Sequence, residues 1–229
     1  MRRCLLCGQK FAAQLSLREL FLLSKKPEQV ICFHCRSKFV QLKSSRCQIC
    51  SKELDSGQIC SDCEAWKRKY TGNLLRNYAV FKYNDAFHEL MVNYKRYGDY
   101  ILRKVLQELC WQELGKHRAD FYVPIPTAPE HIQQRQFDTI SAIFADLVPL
   151  TTVLGKKSGV KAQGEKTRKE RLLSKQSFFV LENTNINFNF KKVLLLDDIY
   201  TTGRTLYHAR NALLTAFPQA KITSFSICR

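Results

Sequence analysis

The stretch VLLLDDIYTTGRT, Val193 to Thr205, decides how the rest of the chain is read. Apolar residues run without a break into two carboxylates. A Thr-Thr-Gly loop follows, and beyond it Leu206, Ala209, Leu213 and Phe217 recur at helical spacing. A continuous apolar run of this length belongs to a parallel strand buried on both faces, because a half-exposed strand would alternate. Strand, loop and helix in that order predict an α/β fold with a mostly parallel sheet. They also set the loop at the strand's carboxyl end, where open parallel sheets bind their ligands.

Working outward, NYAVFKYND (77–85) reads as a strand ending near Asn84 and Asp85, and ITSFSIC (222–228) as a closing strand. From Phe87 to about Lys116, the residues Leu90, Met91, Tyr94, Ile101, Val105, Leu106 and Leu109 recur at helical spacing with a break near Gly98, which predicts helix, turn and helix. DFYVPIPTAPE (120–130) is a short apolar run that three prolines turn into a loop. Asp138 to Leu147 reads as a helix, and Thr151 to Leu154 and Ser177 to Leu181 as short strands. Lys156 to Lys175 holds eight basic and two acidic residues with little apolar periodicity, and reads as a mobile basic loop.

At 229 residues, 45% hydrophobic and 25% charged, the chain has the composition of one ordinary folded domain with a small appendage. The composition shift places the appendage at residues 1–70 and the α/β domain at 71–229. No apolar run approaches the roughly 18 residues that span a bilayer. The opening MRRCLLCGQK has no signal-peptide core, so a cytoplasmic protein, neither secreted nor integral to a membrane, is expected. Basic residues outnumber acidic ones 14 to 6 in the first 70 residues and 23 to 14 in the rest, so the excess is not confined to one tail. Such a field draws a polyanionic partner, whether nucleic acid, anionic lipid headgroups or a phosphorylated small molecule.

The loop narrows that choice. Thr201, Thr202, Gly203, Arg204 and Thr205 offer backbone N–H groups at a helix start and hydroxyl donors, and Gly203 lets the backbone turn closely around an anion, which suits a phosphate monoester. Asp197 and Asp198 are acceptors, suited to the 2′- and 3′-hydroxyls of a ribose with magnesium beside them. Together they read a ribose 5-phosphate.

This string resembles the phosphoribosyl-pyrophosphate (PRPP) motif of type I phosphoribosyltransferases, and the layout from about residue 78 to 229 resembles theirs. The resemblance implies a sheet of that type, ribose hydroxyls on Asp197 and Asp198, and the 5′-phosphate on Thr201 to Thr205. It sets the turn Pro124 to Thr127 near the pyrophosphate, under the closing basic loop. Pyrophosphate departure leaves positive charge on the ribose ring, so magnesium and mobile cations on the leaving group are needed. Thr201 stands where purine-using members carry an acidic base, which disfavours purine salvage, and the sequence after Ile222 offers no hood to read a nucleobase.

Four CxxC pairs fall in the first 63 residues, with segments between them too short for an apolar core of their own. Two pairs complete a tetrahedral, closed, structural Cys4 zinc site, so two zinc ions are expected. Pairing in sequence gives Cys4, Cys7, Cys32 and Cys35 one zinc and Cys47, Cys50, Cys60 and Cys63 the other, with short loop closures; a cross-brace also fits the spacing. His34 reads as a solvent-facing knuckle residue, and Cys110 and Cys228 as buried small apolar residues. Phe33, Phe39, Trp66 and Tyr70, interleaved with Lys and Arg, suit stacking on single-stranded nucleic acid or packing of the module against the second domain.

A CxxC array joined to a PRPP-type motif resembles the ComF family of competence proteins over essentially the whole chain. The resemblance is carried by the four CxxC pairs, Lys95 in NYKRYGD, VPIP at Val123 to Pro126, the basic-loop residues Gln163, Lys166 and Arg171, and DDIYTTGRT. It departs at RQFD, where Arg135 and Phe137 persist but the usual Gly, Asn and Gln do not. It implies that Lys95, Pro124, Pro126, Arg135, Gln163, Lys166 and Arg171 serve the pyrophosphate or the flexible loop. It also implies single-stranded DNA handling during natural transformation beside a helicase-like partner, with location at the inner face of the membrane through partners. Two functions therefore stand. One is a cytoplasmic DNA-uptake protein that binds single-stranded DNA and PRPP or another phosphorylated ribose; the other is a salvage or biosynthetic magnesium-dependent phosphoribosyltransferase with a structural zinc module.

Overall fold

The computed structural model describes residues 1–13, 27–71, 73–157, 176–182 and 186–229. In chain order, β1 (Arg2–Arg3) and β2 (Lys10–Phe11) form a small antiparallel ladder, followed by α1 (Phe33–Ser37) and α2 (Ser61–Tyr70). Then come β3 (Asn77–Phe81), α3 (Asp85–Lys95), a 3-10 turn at Tyr100–Leu102, α4 (Arg103–Leu114) and β4 (Phe121–Pro124). Helices α5 (Pro129–Arg135) and α6 (Thr139–Phe144) lead to the antiparallel pair β5 (Leu154–Lys156) and β6 (Phe178–Val180). Last are β7 (Lys192–Ile199), α7 (Arg204–Ala216) and β8 (Lys221–Cys228).

The central sheet has the order β3-β8-β7-β4, and every neighbouring pair is parallel, as the unbroken apolar run of β7 requires. Residues alternate across a strand, so β7 feeds two cores. Leu194 and Leu196 join Phe225 and Ile227 under α3, α4 and α6, while Val193 and Leu195 face α7 through Leu206, Ala209 and Leu213. The starts of α3 and α6 are capped by side chains: Asn84 accepts from the Phe87 amide at 3.2 Å and Asp138 from the Ser141 amide at 2.7 Å.

Two local readings shift. The proline-rich segment after β4 holds a helix, α5, because Pro129 sits in its first turn, where a missing N–H costs nothing. The segment Thr151 to Leu154 pairs with the sheet only at its start, through the Thr151 amide to the Tyr122 carbonyl at 2.8 Å, and then leaves the edge so that the strand runs instead over β5.

The cysteine-rich region wraps the edge of β3. Leu42 donates to Val80, Lys82 donates to Val40 and Asn77 donates to Ile49, so the strand's outer edge is paired. On one face, Cys4, Val30, Ile31, Cys32, Cys35 and Phe39 merge with the core under α3 and α4; on the other, Cys47, Cys50, Cys60, Cys63 and Trp66 merge with the core under α7. Buried Glu108 of α4 anchors the first half, accepting from the Val30 amide at 2.6 Å, the Ile31 amide at 3.0 Å and Arg36 at 3.1 Å. Glu108→Ala leaves those two amides unpaired in a buried site. We expect it to cost about 3 kcal/mol, roughly 6 to 12 °C in melting temperature. Thermal melting followed by circular dichroism checks this, and an unchanged transition would show that Glu108 is not an anchor.

Candidate functional site

The carboxyl end of β7 carries the two carboxylates, both buried. Asp197 Oδ1 accepts from the Asp198 amide at 2.9 Å, and Asp198 Oδ2 is ion-paired with Lys95 Nζ at the end of α3. Burial, reinforced by the neighbouring Asp198 charge and opposed by Lys95, pushes Asp197 up to about 7. The Ile125 amide donates to the Leu196 carbonyl at 2.9 Å, which brings the turn containing Pro124 and Pro126 alongside the acids. Asp138 holds that turn through the Thr127 amide at 2.8 Å, and Tyr94 Oη donates to the Thr139 carbonyl at 2.7 Å. Half-buried Arg135 ends α5; burial lowers its pKa while the Asp198 charge opposes that fall.

After Ile199 the backbone turns through Thr201 and Thr202 to Gly203, whose φ of 79° is the left-handed conformation. A Cβ there would collide with the Tyr200 hydroxyl, so glycine is required on both counts. Thr201 is exposed, Thr202 and Thr205 are half-buried, and Arg204 is buried at the start of α7. Two side chains from outside the loop grip its carbonyls. Arg229 donates to the Thr201 carbonyl at 3.0 Å, and Trp66 Nε1 donates to the Thr202 carbonyl at 2.9 Å.

The cysteines gather in sequence order: Cys4, Cys7, Cys32 and Cys35 in one group, Cys47, Cys50, Cys60 and Cys63 in the other, each with its sulfurs within 4.8 Å of one another. The cross-brace is therefore not adopted. The Cys7–Cys32 and Cys50–Cys60 sulfur separations are 3.8 and 3.6 Å, too long for disulfides. They are close to the roughly 3.8 Å edge of a tetrahedron of thiolates 2.3 Å from a zinc ion. The donor sets fit a metal ion. His34 is exposed, outside both groups, and Cys110 and Cys228 are fully buried.

The structure does not bring all the nominated residues together. Gln163, Lys166 and Arg171 lie outside the described residues. Phe39 packs edge-on against Phe87 at 5.1 Å, and Trp66 and Tyr70 stack on Tyr207 at 4.4 and 4.8 Å. Those three rings join the cysteine-rich region to the sheet domain, whereas Phe33 is 77% exposed. Tyr97, also 77% exposed, and Tyr100, on the turn after Lys95, are exposed aromatics that composition alone did not single out.

No protein-family model matches the chain. The competence protein ComFC of Streptococcus pneumoniae is 32% identical over 227 residues, covering 99% of this chain and all of that one. The chain belongs to the ComFC family of competence proteins. The Bacillus subtilis member is 31% identical over 99% of this chain and 94% of its own, and competence protein F of Haemophilus influenzae is 23% identical over 76% and 86%. A hypoxanthine phosphoribosyltransferase from Staphylococcus aureus aligns over 55% of this chain and 62% of its own, with 17% identity and a TM-score of 0.30, a superposition too loose to transfer any property. Family membership ties the chain to competence. Among the described residues no helix is long and apolar enough to cross a membrane.

Asp197 supplies a pH test. A carboxyl whose pKa is raised on folding stabilises the protein fully below the unfolded value near 3.8, and this contribution is lost as pH rises through about 7. Asp197→Asn mimics the protonated form and keeps the acceptor for the Asp198 amide. We expect its melting temperature to match the parent near pH 4, to exceed it by a margin that grows towards pH 7, and to hold that margin at pH 8. A constant difference across this range would show that Asp197 does not titrate as described.

Proposed function

We propose that this chain is a DNA-uptake protein of the competence machinery whose sheet domain, residues 71–229, binds PRPP or another phosphorylated ribose and whose surface binds single-stranded DNA. Residues 1–70 form the metal-organised part, with two structural zinc ions on the two cysteine groups. The observation that carries the phosphoribosyl reading is the pair Asp197 and Asp198, buried at the end of a parallel strand and followed at once by a glycine loop at a helix start. The carboxylates accept from ribose hydroxyls, and Thr201 to Thr205 bind the 5′-phosphate.

Lys95 and Arg135 support a pyrophosphate position. Lys95 is ion-paired with Asp198 and Arg135 feels the Asp198 charge, so both cations lie near enough to meet an incoming polyanion. The donor set fits magnesium, since two adjacent buried carboxylates offer hard oxygen ligands, and Asp197 and Asp198 would hold the ion with Lys95 displaced towards the leaving group. Magnesium would neutralise charge building on the departing pyrophosphate. The protein's own part is to fix the ribose between the acids and the loop and to place Lys95 and Arg135 on the leaving group.

For DNA, the support is the net charge of +17 together with exposed rings, Phe33 on α1 and Tyr97 beside Arg96, which offer base-stacking faces among phosphate contacts. Cytoplasmic location and a helicase-like partner belong to the same reading.

The deciding experiment is the double variant Asp197→Ala with Asp198→Ala in titration calorimetry. Magnesium-PRPP affinity is expected to fall by at least a hundredfold, because each charge-assisted hydrogen bond contributes roughly 1.5 to 3 kcal/mol. Affinity for oligo-dT should hold or rise slightly, since internal DNA has neither free hydroxyl of the ribose and its phosphates are repelled by the acids. Retained PRPP affinity would end the phosphoribosyl reading, and joint loss of both ligands in a folded variant would place DNA on the same site. Metal analysis of freshly purified, reduced protein is expected to give two zinc ions per chain.

A further inference from the structure

The second cysteine group sits directly behind the phosphate loop. Arg229 bridges them: its Nε and one terminal nitrogen lie 3.4 and 3.3 Å from Cys50 Sγ, and its other terminal nitrogen donates to the Thr201 carbonyl. The guanidinium is held over the Tyr200 ring at 4.9 Å and faces Asp62 at 3.8 Å, so it is fixed on four sides. Trp66 makes a parallel link. It lies on α2, the helix that begins beside Cys60 and contains Cys63, is wedged against Tyr207, and donates its indole N–H to the Thr202 carbonyl.

The geometry of the peptide unit gives these links a consequence. In a trans peptide the C=O and the following N–H point in opposite directions, and none of the peptides described here is cis. Pulling the Thr201 carbonyl towards Arg229 turns the Thr202 amide the other way. Pulling the Thr202 carbonyl towards Trp66 does the same to the Gly203 amide. Because both donors come from the side of the second cysteine group, the two successive N–H groups are turned away from it at the start of α7, the arrangement that suits an anion cradle. Four thiolates around a divalent metal ion keep a net negative charge, which holds the guanidinium on Cys50 and thus the first of these carbonyls.

We propose that Arg229 and Trp66 are positioning residues that tie the second four-cysteine centre to the loop, aiming the Thr202 and Gly203 amides at the ligand's 5′-phosphate. This rests on the reading of the loop as a phosphate site. Neither residue touches the ligand, and neither serves the pyrophosphate side of the pocket, so their loss should affect one end of the ligand and not the other. Because coupling between two sites is reciprocal, phosphate on the loop should in turn hold the metal more tightly.

The test uses zinc-loaded full chain and two probes, ribose 5-phosphate and magnesium pyrophosphate, in titration calorimetry. Arg229→Gln is expected to lower ribose 5-phosphate affinity about tenfold and Trp66→Phe about fivefold, the scale of one lost hydrogen bond with or without charge, while magnesium pyrophosphate affinity stays within about twofold. Zinc release to a chromogenic chelator supplies a second readout: ribose 5-phosphate should slow one of the two release phases in the parent and leave both unchanged in Arg229→Gln. If Arg229→Gln fails to fold, Trp66→Phe carries the test through the affinity difference. Unchanged ribose 5-phosphate affinity in the variants overturns the proposal, as does equal loss of both probes, which would mark general damage. A parent chain that binds pyrophosphate but not ribose 5-phosphate overturns the phosphate-loop reading itself, before any variant is compared.

Discussion

Two adjacent carboxylates buried at the end of a hydrophobic strand are the costly interaction around which the structure is arranged. Both lose hydration, and the Asp198 charge raises the cost of ionising Asp197. The Asp198 amide offsets part of this for Asp197, and the Lys95 ammonium does so for Asp198. Lys95 can reach because α3 is fixed: Asn84 caps it, Phe87, Leu90 and Met91 bury its inner face, and Tyr94 bonds across to Thr139. Asp138 then fixes the neighbouring turn through Thr127 and caps α6. Two helices and the turn after β4 are thus registered on one pair of acids, as in a binding site that spends stability on preorganisation.

How much of this the sequence reveals depends on the range of the interaction. Strand β7, its loop and α7 are legible because two-faced burial, the φ of Gly203 and the apolar spacing after it are all local. The cysteine groups are half legible. The CxxC spacing announces two centres, but only the fold decides between sequential pairing and a cross-brace. The rings show the limit: Phe39, Trp66 and Tyr70 sit among basic residues much as Phe33 does, yet three are packed and one is exposed, because packing partners such as Phe87 and Tyr207 are far away in sequence. Glu108 and Arg229 left no local trace at all. Their polar partners, Val30, Ile31 and Cys50, lie 78, 77 and 179 residues away.

The two cysteine groups do different work because they lie on opposite faces of one sheet. Between them, residues 40–42 run along the edge of β3 and satisfy backbone groups that would otherwise template a foreign strand. The first group fills the core beneath α3 and α4 and is fastened through Glu108. The second fills the core beneath α7 and reaches the ligand end of the sheet through Arg229 and Trp66. A region too short to bury its own apolar core thus closes both faces and one edge of a core that it shares.

Charge decides which ligands such a site tolerates. A net charge of +17 attracts any polyanion without discrimination, and a phosphate loop alone would accept the backbone of a nucleic acid as readily as a sugar phosphate. The acid pair breaks that equivalence. An internal phosphodiester brought to the loop would set negative charge beside Asp197 and Asp198 and offer them no donor, whereas a free ribose 5-phosphate offers two ring hydroxyls. If the loop and acids bind a ribose phosphate as proposed, selectivity would come from penalising the wrong ligand as much as from binding the right one. On the proposed reading that penalty would also depend on protonation: burial and the Asp198 charge push Asp197 up to about 7, so the repulsion on its side would weaken on acidification.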